Sequence, residues 1–206
     1  MGGGADSRIP RLLSAYFSRE HPGVQVVLRT LPFDPQEAGE RIAGLVAEYR
    51  PELVIGESLG ACQAMRLRGV PRLFVSPSLN APLYFGYLAA PLSLLPGVPA
   101  LLRRLFPVKP GERQRLDFRF SVLRKFRRLR REALAAGEAE PGMCYAFFGT
   151  RDHYRRSGIV SICTWNRHLG KGRCCRYPGT HFMEEEFVSA LLIPRIEDCL
   201  MLKNNE

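Results

Sequence analysis

Residues 52–62 read Glu-Leu-Val-Ile-Gly-Glu-Ser-Leu-Gly-Ala-Cys, a short apolar run that leads through Gly56-x-Ser58-x-Gly60 into helix-forming residues. This order predicts a β-strand that turns sharply into an α-helix, with the serine at the turn. So tight a turn crowds the positions two before and two after the serine, and glycine is expected to fit best at both. The stretch therefore places one serine hydroxyl at the end of a strand, clear of its own backbone.

A hydroxyl in this position is suited to attack a carbonyl carbon, so Ser58 is the candidate nucleophile. The amide of Leu59 follows the turn and is predicted to donate a hydrogen bond to a forming oxyanion. Glu57 lies inside the turn and is expected either to line a substrate site or to act as filler. The alternative is a glycine-rich turn that holds a serine by chance. The strand before it and the helix after it favour the first interpretation.

Short apolar strands alternate with amphipathic helices over most of the chain. This alternation is typical of an α/β protein with a parallel sheet, whose functional site lies at the carboxyl ends of the strands. The predicted strands are the run into Gly56 and residues 24–31, 72–76, 143–149 and 173–177; the predicted helices are 6–20, about fifteen residues before Pro51, 60–68, 159–169 and 184 onward with an interruption at Pro194.

Residues 80–142 break the alternation, with a proline-rich apolar stretch followed by a basic one. We therefore predict that residues 1–79 and 143–206 form the α/β core and that residues 80–142 form a basic helical cap inserted into it. Within the basic stretch, apolar residues recur every three to four positions and predict an amphipathic helix. These residues are Phe118, Val122, Phe126, Leu129 and Ala133.

The net charge of +10 is concentrated in one segment, because Arg103 to Arg131 holds twelve basic residues against two acidic ones. One interpretation is a solvated helix face. The other is recognition of an anionic partner, such as an acidic acyl carrier, a phosphate-bearing ester or an anionic membrane surface. Nucleic acid is disfavoured as a partner because no aromatic residues are interleaved for base stacking and no nucleic-acid motif is present.

The sequence also disfavours several classes of protein. No stretch approaches the roughly 18 uninterrupted apolar residues of a membrane span, and the first residues lack the apolar core of a signal peptide. The six cysteines are scattered without a Cys-x-x-Cys pair. They are expected to be reduced, buried thiols of a cytoplasmic protein rather than disulfides or zinc ligands. No metal or organic cofactor is expected.

A serine nucleophile needs a base, and the base needs a partner that fixes its tautomer. Asp152 and His181 each follow a predicted strand downstream of Ser58, where a parallel sheet presents its loops. Asp152 could instead cap the next helix or pair with Arg151 or Arg155, and His181 could be an ordinary loop histidine. His153 is a weaker candidate base, since adjacent residues on an extended loop usually point apart.

The motifs Gly56-Glu-Ser-Leu-Gly60, Gly149-Thr-Arg-Asp152 and Gly179-Thr-His181 resemble those of the α/β-hydrolase superfamily, in which serine, acid and histidine follow in this order. The chain looks most like small bacterial esterase-like proteins of the YqiA type. The resemblance implies a three-layer α/β-hydrolase fold with a mostly parallel sheet and a helical cap. It also implies a serine hydrolase acting on an ester or thioester, with His181 as base, Asp152 as its partner, and Leu59 with Gly2 or Gly3 as oxyanion donors.

The chain departs from this family at its start. In the family, a strand ending in His-Gly precedes the first helix, whereas this sequence opens with Met1-Gly-Gly-Gly-Ala-Asp-Ser7, which resembles the loop after that strand. A central strand between residues 24–31 and the strand into Gly56 would then be missing, and we expect that the sequence begins at an internal methionine. The rival hypothesis is a catalytically weak protein that binds an anionic partner through its basic cap.

Overall fold

Four parallel strands form a single sheet in the order β1-β2-β3-β4. The computed structural model describes residues 8–105 and 116–201. One row of the sheet runs Gly56, Phe74, Ala146, Cys174, so all four strands point their carboxyl ends to the same edge. The strands are β1 (Val54–Glu57), β2 (Arg72–Val75), β3 (Cys144–Gly149) and β4 (Cys174–Tyr177).

Helices fill the connections between the strands. Two of them begin at caps that the sequence encodes, because Asp34 accepts from the Gln36 amide at 2.8 Å and Ser161 accepts from the Thr164 amide at 3.1 Å. The α-helices are α1 (Arg8–Glu20), α2 (Pro35–Tyr49), α3 (Gly60–Met65), α4 (Ala81–Leu83), α5 (Ala90–Leu92), α6 (Val98–Leu105), α7 (Phe120–Leu123), α8 (Lys125–Ala139), α9 (Ile162–Leu169), α10 (Glu185–Phe187) and α11 (Ile193–Leu200). Tyr84–Ala89 and Val188–Leu192 are π-helical, and Pro141–Met143 and His153–Arg155 are 3₁₀ turns.

The sheet carries a hydrophobic core on each face, and β2 shows why. Phe74 points into a cluster with α3, α8 and α9, whereas Leu73 and Val75 point into a second cluster with α1 and α11. Alternate side chains of a strand face opposite sides, so a strand buried on both faces reads as continuously apolar. The predicted α/β class with a parallel sheet is confirmed.

The basic stretch contributes to the first of these cores. The predicted amphipathic helix is confirmed in part, since Phe126, Leu129 and Ala133 are buried on α8. Val122 lies on the separate helix α7, and Phe118 precedes α7 outside any helix, because the chain turns at Arg124. These side chains belong to the same cluster as the helix that follows β1. The second half of residues 80–142 thus shares the core of the α/β layers, while the division at 80 and 142 stays a prediction.

The predicted strand at residues 24–31 is wrong, since the structure assigns no strand there. Val24 and Val26 do pack at the margin of the second core. In the described part of the chain, however, β1 pairs with β2 alone and lies at the edge of the sheet. Residues rich in β-branched side chains form a strand only where a neighbouring strand pairs with them, and the described sheet includes no strand paired with residues 24–31.

The cysteine prediction is confirmed in part. All six cysteines are free, and Cys62 and Cys144 are buried. Cys163 is exposed, contrary to the prediction, because it lies on the outer side of α9 while Trp165 occupies the inner side. None of the described helices combines the length and the apolar character needed to cross a bilayer.

Alkylation should separate these thiols. Burial raises the pKa of the Cys62 thiol to about 12, so at pH 8 it is both inaccessible and protonated. We expect iodoacetamide to modify Cys163 within minutes and to leave Cys62 unmodified in the folded protein, as measured by peptide mass spectrometry. Protein unfolded in guanidinium serves as the control and should be modified at both. Equal rates in the folded state would contradict this packing.

Candidate functional site

The turn after β1 holds Ser58 in a strained conformation. Its φ of 53° lies in the left-handed region, which a residue with a side chain rarely adopts. Three backbone hydrogen bonds keep it there: the Ser58 amide donates to Val75 O at 3.0 Å, and its carbonyl accepts from Ala61 at 3.2 Å and from Ser78 at 3.0 Å. The surrounding structure therefore imposes the conformation that lifts the hydroxyl away from the strand.

The two glycines of the motif have different roles. A Cβ added at Gly56 would lie 2.8 Å from Ala61 Cα and 2.9 Å from Ala64 Cβ, so β1 and α3 approach each other too closely for any side chain. At Gly60 nothing lies within 4 Å of such an atom. The predicted crowding is confirmed at Gly56 and wrong at Gly60, because the second glycine already belongs to α3 and its Cβ direction points into open space.

Ser58, His181 and Asp152 form one hydrogen-bonded chain. Ser58 Oγ lies 2.8 Å from His181 Nε2, and His181 Nδ1 lies 2.8 Å from Asp152 Oδ2. The three residues are 8 %, 1 % and 3 % exposed. Since a carboxylate only accepts hydrogen bonds, Nδ1 carries the ring proton and Nε2 is left to accept from the serine hydroxyl.

Asp152 performs two tasks at once. Its Oδ1 accepts from the Tyr154 amide at 2.8 Å and caps the 3₁₀ turn that follows, while Oδ2 faces His181. The alternative that Asp152 caps a helical turn is thus correct and compatible with the histidine contact. The other alternative is wrong, since among the described residues neither Arg151 nor Arg155 forms an ion pair with it.

The Asp152 carboxyl is held in its charged form. Burial by itself raises its pKa, but the hydrogen bond and the charge of His181, the Tyr154 amide and the Ser76 hydroxyl together outweigh burial. The pKa of Asp152 is therefore lowered from 3.8. A charged partner at Nδ1 favours a positive imidazole ring, which is the state a base reaches after taking a proton.

Aromatic rings enclose the imidazole of His181. The ring of Tyr154 lies 4.7 Å from it and that of Phe182 lies 5.1 Å from it, both edge-on. His153 stacks on Tyr154 at 4.0 Å and is exposed, with its ring 5.9 Å from that of His181. His153 therefore lies beside the hydrogen-bonded chain and takes no part in it.

The loops after β3 and β4, which carry the acid and the imidazole, are tied to each other through their backbones. The Thr150 amide donates to Tyr177 O at 2.8 Å, and the Arg151 amide donates to Gly179 O at 2.9 Å. A Cβ added at Gly149 would lie 2.3 Å from Thr180 O. The two loops thus cross in contact, and this contact fixes the distance between carboxylate and ring.

Replacing Gly149 by alanine is expected to destabilise the protein by about 2 kcal/mol, because the new methyl group meets backbone that cannot swing aside. Urea unfolding followed by circular dichroism measures the loss. Gly142→Ala is the matched control, since the nearest side-chain atom there lies 4.0 Å away and little change is expected. Equal unfolding midpoints for the two variants would show that the loops can separate without cost.

Two buried serines near the site were missed by the sequence analysis. Ser78 Oγ lies 3.2 Å from Ser58 Oγ, so a second hydroxyl contacts the candidate nucleophile. Ser76 has a φ of 46° and is fully buried near Asp152 and Tyr177, and its hydroxyl forms no well-aligned hydrogen bond with a described residue. Both follow β2, whose carboxyl end neighbours that of β1. Their position directly after that strand was the sequence signal that could have placed them at the site.

The remaining predicted site residues have separate positions. The Leu59 amide stands at the N-cap of α3 and donates no hydrogen bond to any residue that the structure describes. Glu57 ends β1 and is half-buried. The pKa of the Tyr177 hydroxyl is raised, first by burial and then by nearby carboxylates that include Glu57. Gly2 and Gly3 lie outside the described residues.

The arrangement can move a proton and can hold an anion. Ser58 can lose its proton to His181 while Asp152 stabilises the charged ring, and the Leu59 amide is free to donate. In residues 8–105 and 116–201, no group of three histidine, cysteine or acidic side chains is placed to hold a metal ion. No protein-family model matches the chain, and a search of curated proteins finds no similar sequence.

Proposed function

We propose that this protein is a serine hydrolase of the α/β-hydrolase type that cleaves a carboxylic ester or thioester through an acyl-serine intermediate. The observation that carries the proposal is the buried chain of two 2.8 Å hydrogen bonds joining Ser58, His181 and Asp152. An ordinary surface serine has no such base, and an ordinary loop histidine is not paired at both nitrogens inside one cluster.

The proposed reaction uses only side chains and one amide of this chain. Ser58 Oγ attacks the acyl carbon as His181 Nε2 takes its proton, and the Leu59 amide donates to the oxygen that becomes negative. His181 then gives the proton to the leaving alcohol or thiol. Water attacks the acyl-serine, again losing a proton to Nε2, and Ser58 regains its proton when the acid departs.

The position of the three residues in the fold further supports the proposal. Ser58, Asp152 and His181 follow β1, β3 and β4, in the chain order of α/β-hydrolases. The left-handed φ of Ser58 and the close approach of Gly56 to α3 are features that a strand-to-helix nucleophile turn requires. The free thiols favour a reducing compartment, and we propose a cytoplasmic location.

A fluorophosphonate probe tests the proposal, since it bonds covalently to an activated serine. We expect one probe per protein, mapped to the peptide that contains Ser58, and no labelling after unfolding in urea. A folded protein that stays unlabelled at millimolar probe, or that is labelled at another serine, would overturn the proposal. The first of these results would favour the rival hypothesis of a binding protein.

The rival hypothesis, an anionic partner held by the basic cap, draws less support from the structure. Several cations of the segment already have partners: Lys125 pairs with Asp34 at 2.6 Å, and Arg127 donates to Gly86 O at 2.6 Å. Arg130 donates to Leu79 O at 3.1 Å and to the side chain of Asn80. These contacts attach α8 to its neighbours, which is a structural use of the charge.

A further inference from the structure

Exposed apolar side chains concentrate on one stretch of the chain, residues 84–105. Most surface hydrophobic residues of a protein are scattered singly, and a contiguous group indicates a contact surface. Eight of the twelve large hydrophobic side chains exposed in the described ranges belong to this stretch. They are Tyr84, Tyr87, Leu88, Leu92, Leu94, Leu95, Leu101 and Leu105, which we call the 84–105 face.

Helix α6 shows the character of this face most clearly. It reads Val-Pro-Ala-Leu-Leu-Arg-Arg-Leu, and none of its residues is buried. Leu102 touches the first core, whereas Leu101 and Leu105 are exposed. A helix with leucines on one side and arginines on the other, lying on the surface rather than in a core, is typical of segments that rest in a membrane interface.

Unpaired cations border the apolar side chains. The side chains of Arg103 and Arg104 are exposed, and neither makes a hydrogen bond or a close ion pair with a residue in the described ranges. The charge of Arg103 is near enough to Asp117 to help Arg119 lower the pKa of that carboxyl, whereas Arg104 has no such neighbour among the described residues. The exposed side chains of Arg124, which precedes α8, and Arg131, which lies on α8, also make no such contact, in contrast to Lys125, Arg127 and Arg130 of that helix. Arginines without internal partners next to exposed leucines are complementary to an apolar layer covered by negative charge.

We propose that the 84–105 face docks on an anionic lipid surface, with the leucines in the acyl boundary and Arg103 and Arg104 on the headgroups. Tyrosine suits this boundary because its ring is apolar and its hydroxyl is polar; Tyr84 and Tyr87 would lie there. The combination of apolar area with unpaired positive charge favours lipid over a second protein.

The face also borders a cleft of about 550 Å³. Tyr84, Tyr87 and Leu88 of the face line it, together with Asn80, Leu83 and Gly158. The lining is mainly apolar, so the cleft adds apolar area to the docking surface. It is separate from the Ser58 site, and the docking proposal does not depend on the proposed hydrolysis.

Vesicle sedimentation tests the apolar part of the proposal. We expect the protein to sediment with phosphatidylglycerol-containing vesicles, and Leu94→Ser with Leu95→Ser to weaken this binding at least about tenfold. Met201→Ser is the matched control, because Met201 is 88 % exposed but lies far along the chain from the face. Ser58→Ala should bind like the parent protein, which separates docking from hydrolysis.

The charged part is tested with Arg103→Glu and Arg104→Glu. This variant should lose the preference for anionic over phosphatidylcholine vesicles, whereas Arg11→Glu with Arg41→Glu, an equal change of charge in α1 and α2, should keep it. Raising the salt from about 0.1 M to about 1 M should also weaken binding. Folded protein that stays in the supernatant, or a dimer that dissociates when Leu94 and Leu95 are replaced, would overturn the proposal.

Discussion

Replacing Ser58 by alanine is expected to lower ester hydrolysis at least about a thousandfold and to abolish labelling by a fluorophosphonate. Among the described residues, Ser58 Oγ is the oxygen that contacts His181 Nε2, so the variant removes the proton that the base accepts. Hydrolysis of a p-nitrophenyl ester measures the loss. Ser18→Ala, on the exposed side of α1, is the matched control and should retain full activity.

A second substitution at this position separates chemistry from conformation. Ser58→Gly should be as inactive as Ser58→Ala, yet more stable than the alanine variant by about 1 kcal/mol, because glycine adopts a positive φ without steric cost. Urea unfolding of the two variants measures the difference. If Ser58→Ala remained active, the nucleophile would be another residue; if alanine and glycine were equally stable, the turn would store no strain.

Asp152→Asn is expected to lower hydrolysis by about 10⁴-fold. Asparagine is as good a cap as aspartate, so the hydrogen bond from the Tyr154 amide should survive and the fold should be kept. The asparagine amide, however, is neutral and can donate a hydrogen bond to His181 Nδ1. The ring proton would then lie on Nε2, which could no longer accept the proton of Ser58. Asp152→Ala, which loses the cap as well, should be equally inactive but less stable.

The lowered pKa of Asp152 also makes the stability of the protein depend on pH. A carboxyl whose folded-state pKa lies below its unfolded value of about 3.9 contributes stability above that pH, and the contribution is lost as the pH falls through the folded value. The part of the stability difference between the parent protein and Asp152→Asn that comes from this carboxyl should therefore shrink as the pH falls below about pH 4. Urea unfolding at several pH values measures it, and a difference that grows in acid would contradict this assignment.

The sequence allowed the three members of the hydrogen-bonded chain to be named because parallel strands bring their carboxyl ends together. Ser58, Asp152 and His181 are far apart in sequence, by up to 123 positions, yet each follows a strand that the alternation of strands and helices predicted. The same reasoning predicted the α/β class. The assignment of roles to these residues rests on chemistry, and the labelling and substitution experiments test it.

Other features depend on contacts that no local pattern encodes. Residues 24–31 have strand-forming side chains, but pairing is decided by what lies beside them. The position of Ser78 after β2 places it at the carboxyl edge of the sheet, but its contact with Ser58 depends on how the loop after β2 folds back. Gly60 and Cys163 were misjudged for a shared reason: the direction of a side chain on a short helix depends on where that helix begins.

The base and the nucleophile are supported by different parts of the molecule. The loops bearing His181 and Asp152 are fastened to each other at Gly149, whereas Ser58 directly follows β1, an edge strand that pairs with β2 alone in the described sheet. Edge strands open before central ones. Fraying of that edge would pull the hydroxyl from an intact imidazole–carboxylate pair, so mild denaturant or heat would switch the chemistry off well before the remainder of the protein unfolds.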